Sequence, residues 1–246
     1  MKYRILALVS VTACLVSGVL AQQRPQWMAG QAGLNAGVVL DPGFSFQNLT
    51  DYYYSNRVNG PDGKELPLGQ IAYHVVASEN ISTWVVDTKI FGANPGFGFS
   101  VCPANGSVTE IQPKGGGAGL ANTFTTPILL GWHFKHLDLS FRDVVILPTG
   151  RYTMGASNNV GSGFWTDMIV GGATYYPFHN KNTQISGILE WEAHGKQAGT
   201  DLTPGQAMTF EWGIGHMFPL NSRKTVIFDP GVVGYEQWQV SPDGGK

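Results

Sequence analysis

The chain has 246 residues, a formal net charge of −2, 13% charged and 12% aromatic residues, and 33 glycines. Charge this sparse is about half that of an ordinary soluble domain, and the mild acidic balance excludes a basic footprint for nucleic acid. Low charge with abundant Gly and aromatic residues suits a surface that partly faces lipid.

Met1-Lys2-Tyr3-Arg4 and the apolar run from Ile5 to Leu20 read as a secretory signal. The n-region is positive, and the h-region is too short and weakly flanked for a membrane span. Val19-Leu20-Ala21 suits cleavage before Gln22, so residues 1–21 are expected to be removed. Val11-Thr12-Ala13-Cys14 resembles a lipoprotein box, but Leu15–Leu20 stays apolar where a lipoprotein turns polar. Without the signal, 13 Lys and Arg against 17 Asp and Glu leave −4. Cys102 is then the single cysteine, which rules out an intramolecular disulfide. Pro103-Ala104-Asn105-Gly106 follows it as a turn, so Cys102 reads as a strand-end thiol.

Residues 22–43 form a Gly- and Ala-rich lead-in, and residues 44–246 form the predicted β domain. The first strand is expected over Phe44–Tyr54, followed by a polar loop, Ser55–Gln70, with turn pairs Asn59-Gly60 and Asp62-Gly63. Ile71–Ser78 and Ile81–Gly92 read as two strands joined at Glu79-Asn80, and Phe97–Cys102 as a shorter one. Pro103–Pro127, with Gly115-Gly116-Gly117 and Gly119, reads as a long gating loop. Ile128–Leu147 is one long strand or two broken at His136. Trp165–Tyr176, Thr183–Ala193, Met208–Phe218 and Val232–Val240 complete the set. No mature segment is apolar enough for a transmembrane helix, and helical periodicity is absent.

Strict alternation carries most of the information. Met208, Phe210, Trp212 and Ile214 share one parity, against Thr209, Glu211, Gly213 and Gly215. Ile185, Leu189, Trp191 and Ala193 likewise oppose Gln184, Ser186, Glu190 and Glu192. Side chains alternate across a strand, so each segment has an apolar and a polar face. With an export signal, this pattern points to an all-β fold, an antiparallel transmembrane β-barrel of about 10–12 strands. Trp191 and Trp212 fit interfacial girdles. A soluble exported β-sandwich acting as a binding module carries the same alternation and is the alternative.

Certain blocks are similar to a known family: Gly33-Leu34-Asn35-Ala36-Gly37, Pro42-Gly43-Phe44-Ser45-Phe46-Gln47-Asn48, Tyr52-Tyr53-Tyr54 and Pro127-Ile128-Leu129-Leu130-Gly131-Trp132. Leu147-Pro148-Thr149-Gly150-Arg151-Tyr152, Thr203-Pro204-Gly205, Glu211-Trp212-Gly213-Ile214-Gly215 and Val233-Gly234-Tyr235-Glu236-Gln237-Trp238-Gln239 continue the likeness. Together they resemble the meta-pathway of phenol degradation outer-membrane proteins of Gram-negative bacteria, also called the SphA family. The resemblance runs from about Gly30 to the last residues. It implies an exported barrel that moves small hydrophobic or aromatic molecules, and supplies no functional residues. The chain departs from the family at its end, because Ser241-Pro242-Asp243-Gly244-Gly245-Lys246 cannot form a closing strand. A C-terminally shortened barrel is therefore expected.

Asp138, Arg142, Glu190, Glu192 and Glu211 are the candidate lumen-facing, substrate-binding residues. Each lies on the polar parity of its strand, and a mid-depth Arg on the lipid face costs roughly 2–4 kcal/mol. Paired carboxylates also serve acid/base chemistry, but the same trio reads more simply as a polar lumen patch. His133 and His136, three apart, face opposite sides of a strand. His74, His179, His194 and His216 are dispersed, so no metal and no cofactor is expected. Neither a phosphate loop nor a Gly-x-Ser-x-Gly elbow occurs. Asn48-Leu49-Thr50, Asn80-Ile81-Ser82 and Asn105-Gly106-Ser107 match glycosylation acceptors by chance. The expected function is passage or binding of small hydrophobic or aromatic compounds by facilitated diffusion, without covalent chemistry. Outer-membrane lipid and those compounds are the partners, and a barrel-embedded hydrolase is a further alternative.

Overall fold

A computed structural model describes residues 25–56, 64–65, 72–109, 115–156, 158–223 and 225–244. The predicted signal peptide, and the turn pairs at 59–60 and 62–63, lie outside these residues. The described chain is all-β. Its wall strands are β1 (Gly43–Ser55), β2 (Ala72–Val85), β3 (Asn94–Val101), β4 (Pro103–Thr109), β5 (Gly115–Leu120) and β6 (Thr123–His133). They continue as β7 (Leu137–Leu147), β8 (Thr166–Tyr175), β9 (Thr183–His194), β10 (Ala207–His216) and β13 (Gly231–Gln239). A small hairpin, β11 (Phe218–Pro219) with β12 (Ile227–Phe228), stands apart in the β10–β13 connection.

All ladders are antiparallel, and all but that of β11 with β12 join one eleven-stranded sheet. β2 pairs β1 along one edge and both β3 and β4 along the other. β3 and β4 are thus one stave interrupted at Cys102, and β5 and β6 another interrupted at Ala121-Asn122. Among the described residues no ladder joins β1 to β13. After β13 the chain turns back: Thr203 and Gly244 form an isolated bridge, and the Asp243 carboxylate accepts the Gly205 N–H at 2.7 Å.

Two predicted features are corrected. The described residues of the 103–127 stretch, 103–109 and 115–127, are not a gating loop but the strands β4, β5 and the start of β6. Its glycines are paired in register with β4, and the thin strand they make is covered by neighbours. A Cβ at Gly117 would lie 2.7 Å from the Arg151 guanidinium and 3.3 Å from the Asn158 Cβ. Secondly, Glu79-Asn80 is no turn; β2 runs through it unbroken. The Ile128–Leu147 region does divide, with β6 ending at His133 and β7 starting at Leu137.

The alternation read from the sequence becomes an inside and an outside. On β10, Ala207, Thr209, Glu211, Gly213 and Gly215 are buried, whereas Phe210, Trp212 and Ile214 are exposed. On β9, Gln184, Ser186, Ile188, Glu190 and Glu192 face in, while Ile185 and Leu189 face out. Phe44, Phe46, Trp84, Phe97, Ile169 and Trp238 extend the exposed apolar belt over the other strands. Such a belt has no place in water, and it is the surface a lipid-embedded wall requires. One polar ladder on β1 and β2 interrupts it, where Asn48 donates to Ser78 Oγ at 2.8 Å and Asn80 Oδ1 at 3.0 Å.

The core sits within the curve of the sheet, and it is not built by the wall alone. One cluster joins Val144, Ile146, Met168, Val170 and Ile188 with Ala36, with Trp27, Ala32 and Phe124 against it. A second joins Val85 and Leu129 with Val39. Residues 25–42 therefore occupy the space that a second sheet would fill in a sandwich. The expectation of a polar interior needs the same correction: the inner face of β7 changes from Asp138, Ser140 and Arg142 to Val144 and Ile146.

Candidate functional site

The lead-in is a lumenal segment fastened to the wall at successive points. At its start the Gln26 and Trp27 backbone N–H groups donate to Glu192, at 2.8 Å and 3.2 Å, and Asn122 donates to the Gln26 amide oxygen at 3.2 Å. The Glu211 carboxylate next accepts three bonds: the Trp27 indole at 2.7 Å, Gly30 N–H at 2.7 Å and Ala32 N–H at 3.0 Å. Farther along, Gly37 N–H donates to Thr174 Oγ1 at 3.0 Å. Gln31 donates to Asp51 on β1, and Gln237 on β13 donates to the Trp27 carbonyl at 3.4 Å. The segment thus touches both strands at the unpaired edges of the sheet.

Burial of Glu192 and Glu211, at 0% and 1% exposure, is intelligible on this basis. An ionised carboxylate is costly away from water unless paired or hydrogen-bonded. Here two donors on Glu192 and three on Glu211 replace the lost hydration. Hydrogen bonds to charged groups contribute roughly 1.5–3 kcal/mol each.

Glycines on the inner face make room for the segment. A Cβ at Gly131 would lie 2.5 Å from Val39 Cβ, and one at Gly172 would lie 3.0 Å from the Ala36 carbonyl oxygen. At Gly213 it would lie 2.8 Å from the Gly33 carbonyl oxygen, and at Gly231 2.6 Å from Leu34 Cδ2. On the segment itself, any side chain at Gly37 would collide with the Ala173 backbone. Segment and wall are complementary at backbone distance.

Between the segment and β1, β2, β3, β6 and β7 lies a cavity of about 540 Å³. Leu34, Val38, Leu49, Ile81, Phe124, Leu129, Val144 and Val170 supply its apolar lining. Gln31, Gln47, Thr83, Thr126, Glu79, Arg142 and Tyr176 add polar groups. Tyr176 follows β8 in a turn and donates to Asp138 Oδ2 at 2.8 Å; burial and this bond raise its phenol above the ordinary value. Mostly apolar walls with a few convergent polar groups are what small-molecule sites look like.

All five residues read from the sequence face inward, but they do not form one site. Arg142 lines the cavity. Asp138 belongs to a cluster at one end, where Lys181 Nζ lies 2.9 Å away and His133 Nδ1 3.3 Å away. Glu192 and Glu211 hold the segment. Glu190 is fully buried, with no hydrogen-bond partner for either carboxylate oxygen among the described residues. Sequence reasoning missed the apolar lining and the segment, which have no periodicity; the run of small residues at 29–37 was the available signal. A Thr166–His194–Glu192 arrangement has the residue types of a catalytic triad. It is closed by burial and by Phe164 on the imidazole, its His194–Glu192 separation is 3.8 Å, and the carboxylate is engaged by the segment.

An antiparallel wall, apolar outside and curved around an inner segment, defines the class: a β-barrel with the fold of an outer-membrane channel. The chain is similar to an outer membrane channel from Pseudomonas putida F1, with a TM-score of 0.68 and 10% identity over 82% of this chain and 74% of that one. By sequence the chain belongs to the family of the MetA-pathway of phenol degradation, which matches residues 29–246. No curated protein matches it.

Proposed function

We propose that the protein is an outer-membrane channel through which small hydrophobic or aromatic compounds pass by facilitated diffusion, using the interior cavity as a binding chamber. The apolar chamber inside an apolar-belted wall is the observation that carries this reading. Residues 25–42 pack inside the wall beside the chamber, and its mostly apolar lining offers hydrophilic solutes little to gain. An apolar solute instead exchanges its hydration for Phe124, Leu129 and Val144, at about 25 cal/mol per Å² of apolar area removed from water. Short connections such as 134–136 suit the periplasmic end, and the 148–165 connection suits the outer one. The resemblance to an outer-membrane channel and the family assignment support the same setting.

The test has two parts. The protein is expressed in a Gram-negative host, and its fractionation and gel mobility are compared before and after boiling. Uptake of labelled naphthalene by the same cells is then measured with and without the protein. Outer-membrane recovery, a heat-dependent shift and faster uptake are expected. Recovery in the soluble periplasmic fraction, or uptake equal to that of cells lacking the protein, would overturn the proposal.

A further inference from the structure

Arg142 is the one cation in the lining of the cavity, and among the described residues it has no hydrogen-bond partner and no ion pair within 4.0 Å. Arg142 stands opposite Leu129 on β6 and Val170 on β8 in the strand registers, both apolar and both lining the cavity. Val144, two residues on along β7, lines it as well. Among the described residues no carboxylate lies within 4.0 Å of the guanidinium and no hydrogen bond reaches it. Glu190 is the carboxylate two strands away on the same inner face, across Val170. That group, however, is sealed from the cavity. A guanidinium carries five N–H donors, and enclosing it between Leu129 and Val170 is costly unless something accepts from them.

We infer that Arg142 receives the anionic head of an amphipathic ligand, a monocarboxylate with an aromatic or short aliphatic body. This inference rests on the reading of the cavity as a binding chamber. A planar guanidinium matches a carboxylate through two parallel hydrogen bonds. Leu129 stands opposite it, and Val144 and Phe124 lie farther along the same lining to take the apolar body. Glu79 on β2 is the other charged side chain in the lining, and it disfavours a second carboxylate. The ligand therefore carries one negative charge and directs it to β7. Glu192 and Glu211 do not line the cavity, and their oxygens are turned to segment N–H groups.

The test is titration calorimetry on the full chain in lipid nanodiscs, with heats from empty discs subtracted. The probes are 4-phenylbutanoate and 4-phenylbutanol, which share a body and differ in the head. The wild-type protein is expected to bind the carboxylate about tenfold tighter than the alcohol, about 1.4 kcal/mol. Arg142→Gln is expected to remove that preference while leaving alcohol binding in place, and Arg142→Lys to keep part of it. Equal affinities in the wild type, or a preference that survives Arg142→Gln, would overturn the inference and leave the chamber standing. Failure of both probes to bind the wild type would instead overturn the chamber itself. Should Arg142→Gln lose its heat-dependent gel shift, Arg142→Lys and the wild-type comparison still decide.

Discussion

The Glu211 carboxylate on β10 accepts the indole N–H of Trp27 at 2.7 Å, across 184 positions of sequence. Two backbone N–H groups, of Gly30 and Ala32, share the same carboxylate. Glu211→Gln keeps the volume but leaves one acceptor oxygen and no charge, so at least one enclosed donor loses its partner. A loss of about 2–4 kcal/mol is expected. It should appear as a lower temperature for the unboiled-to-boiled gel transition, together with a larger single-channel conductance as the segment loosens. An unchanged transition and conductance would show that Glu211 does not hold the segment.

Gly171 and Gly172 are adjacent on β8 and point to opposite faces. A Cβ at Gly171 meets nothing within 4 Å, whereas one at Gly172 would lie 2.7 Å from Ser140 Oγ and 3.0 Å from Gly37 Cα. Gly171→Ala should leave stability within about 0.5 kcal/mol. Gly172→Val should cost about 1–3 kcal/mol by overpacking, or drive the segment out of the lumen. Denaturation in detergent and protease sensitivity near residue 30 distinguish these outcomes. Equal behaviour of the two variants would rule out close contact between segment and wall.

These neighbours also show what the sequence made legible. Wherever inward and outward residues alternate without exception, as on β9 and β10, the two faces were readable from parity alone. The triple glycine of β5 reads as a loop because Gly is a poor strand former in isolation. In the fold it is paired with β4 and covered by Arg151 and Asn158, which local pattern does not reveal. Glu79-Asn80 misleads for a related reason, since each polar residue finds its own setting, Glu79 by the cavity and Asn80 against Asn48. The inner segment was the least legible part. Its fit depends on glycines placed on four different wall strands, at Gly131, Gly172, Gly213 and Gly231, and no single window of sequence contains that relationship.

Leu189 on β9 lies on the outer face, directly opposite Phe210 on β10. Leu189→Arg should cost about 2–4 kcal/mol if that face meets hydrocarbon at mid-depth, and much less nearer the interface. Folding yield into lipid vesicles, followed by the gel shift, provides the measurement. Full tolerance of the arginine would be incompatible with a lipid-facing wall at this height.

Glu190 presents the opposite case from Glu211. The two carboxylates lie on neighbouring strands, yet Glu211 accepts three bonds whereas both oxygens of Glu190 are enclosed without a partner. A buried carboxylate in that condition opposes folding, because nothing replaces the hydration its oxygens lose, and an unsatisfied buried polar group costs roughly 1–3 kcal/mol, more when charged. Glu190→Gln is therefore expected to raise stability to denaturation in detergent by about 1 kcal/mol, with conductance unchanged because the residue does not line the cavity. The contrast with Glu211→Gln, the same chemical change one strand away, removes any general effect of charge loss from the comparison. A fall in stability for both variants would mean that Glu190 is held by a partner in the folded protein, and the unpaired interior carboxylate would have to be abandoned.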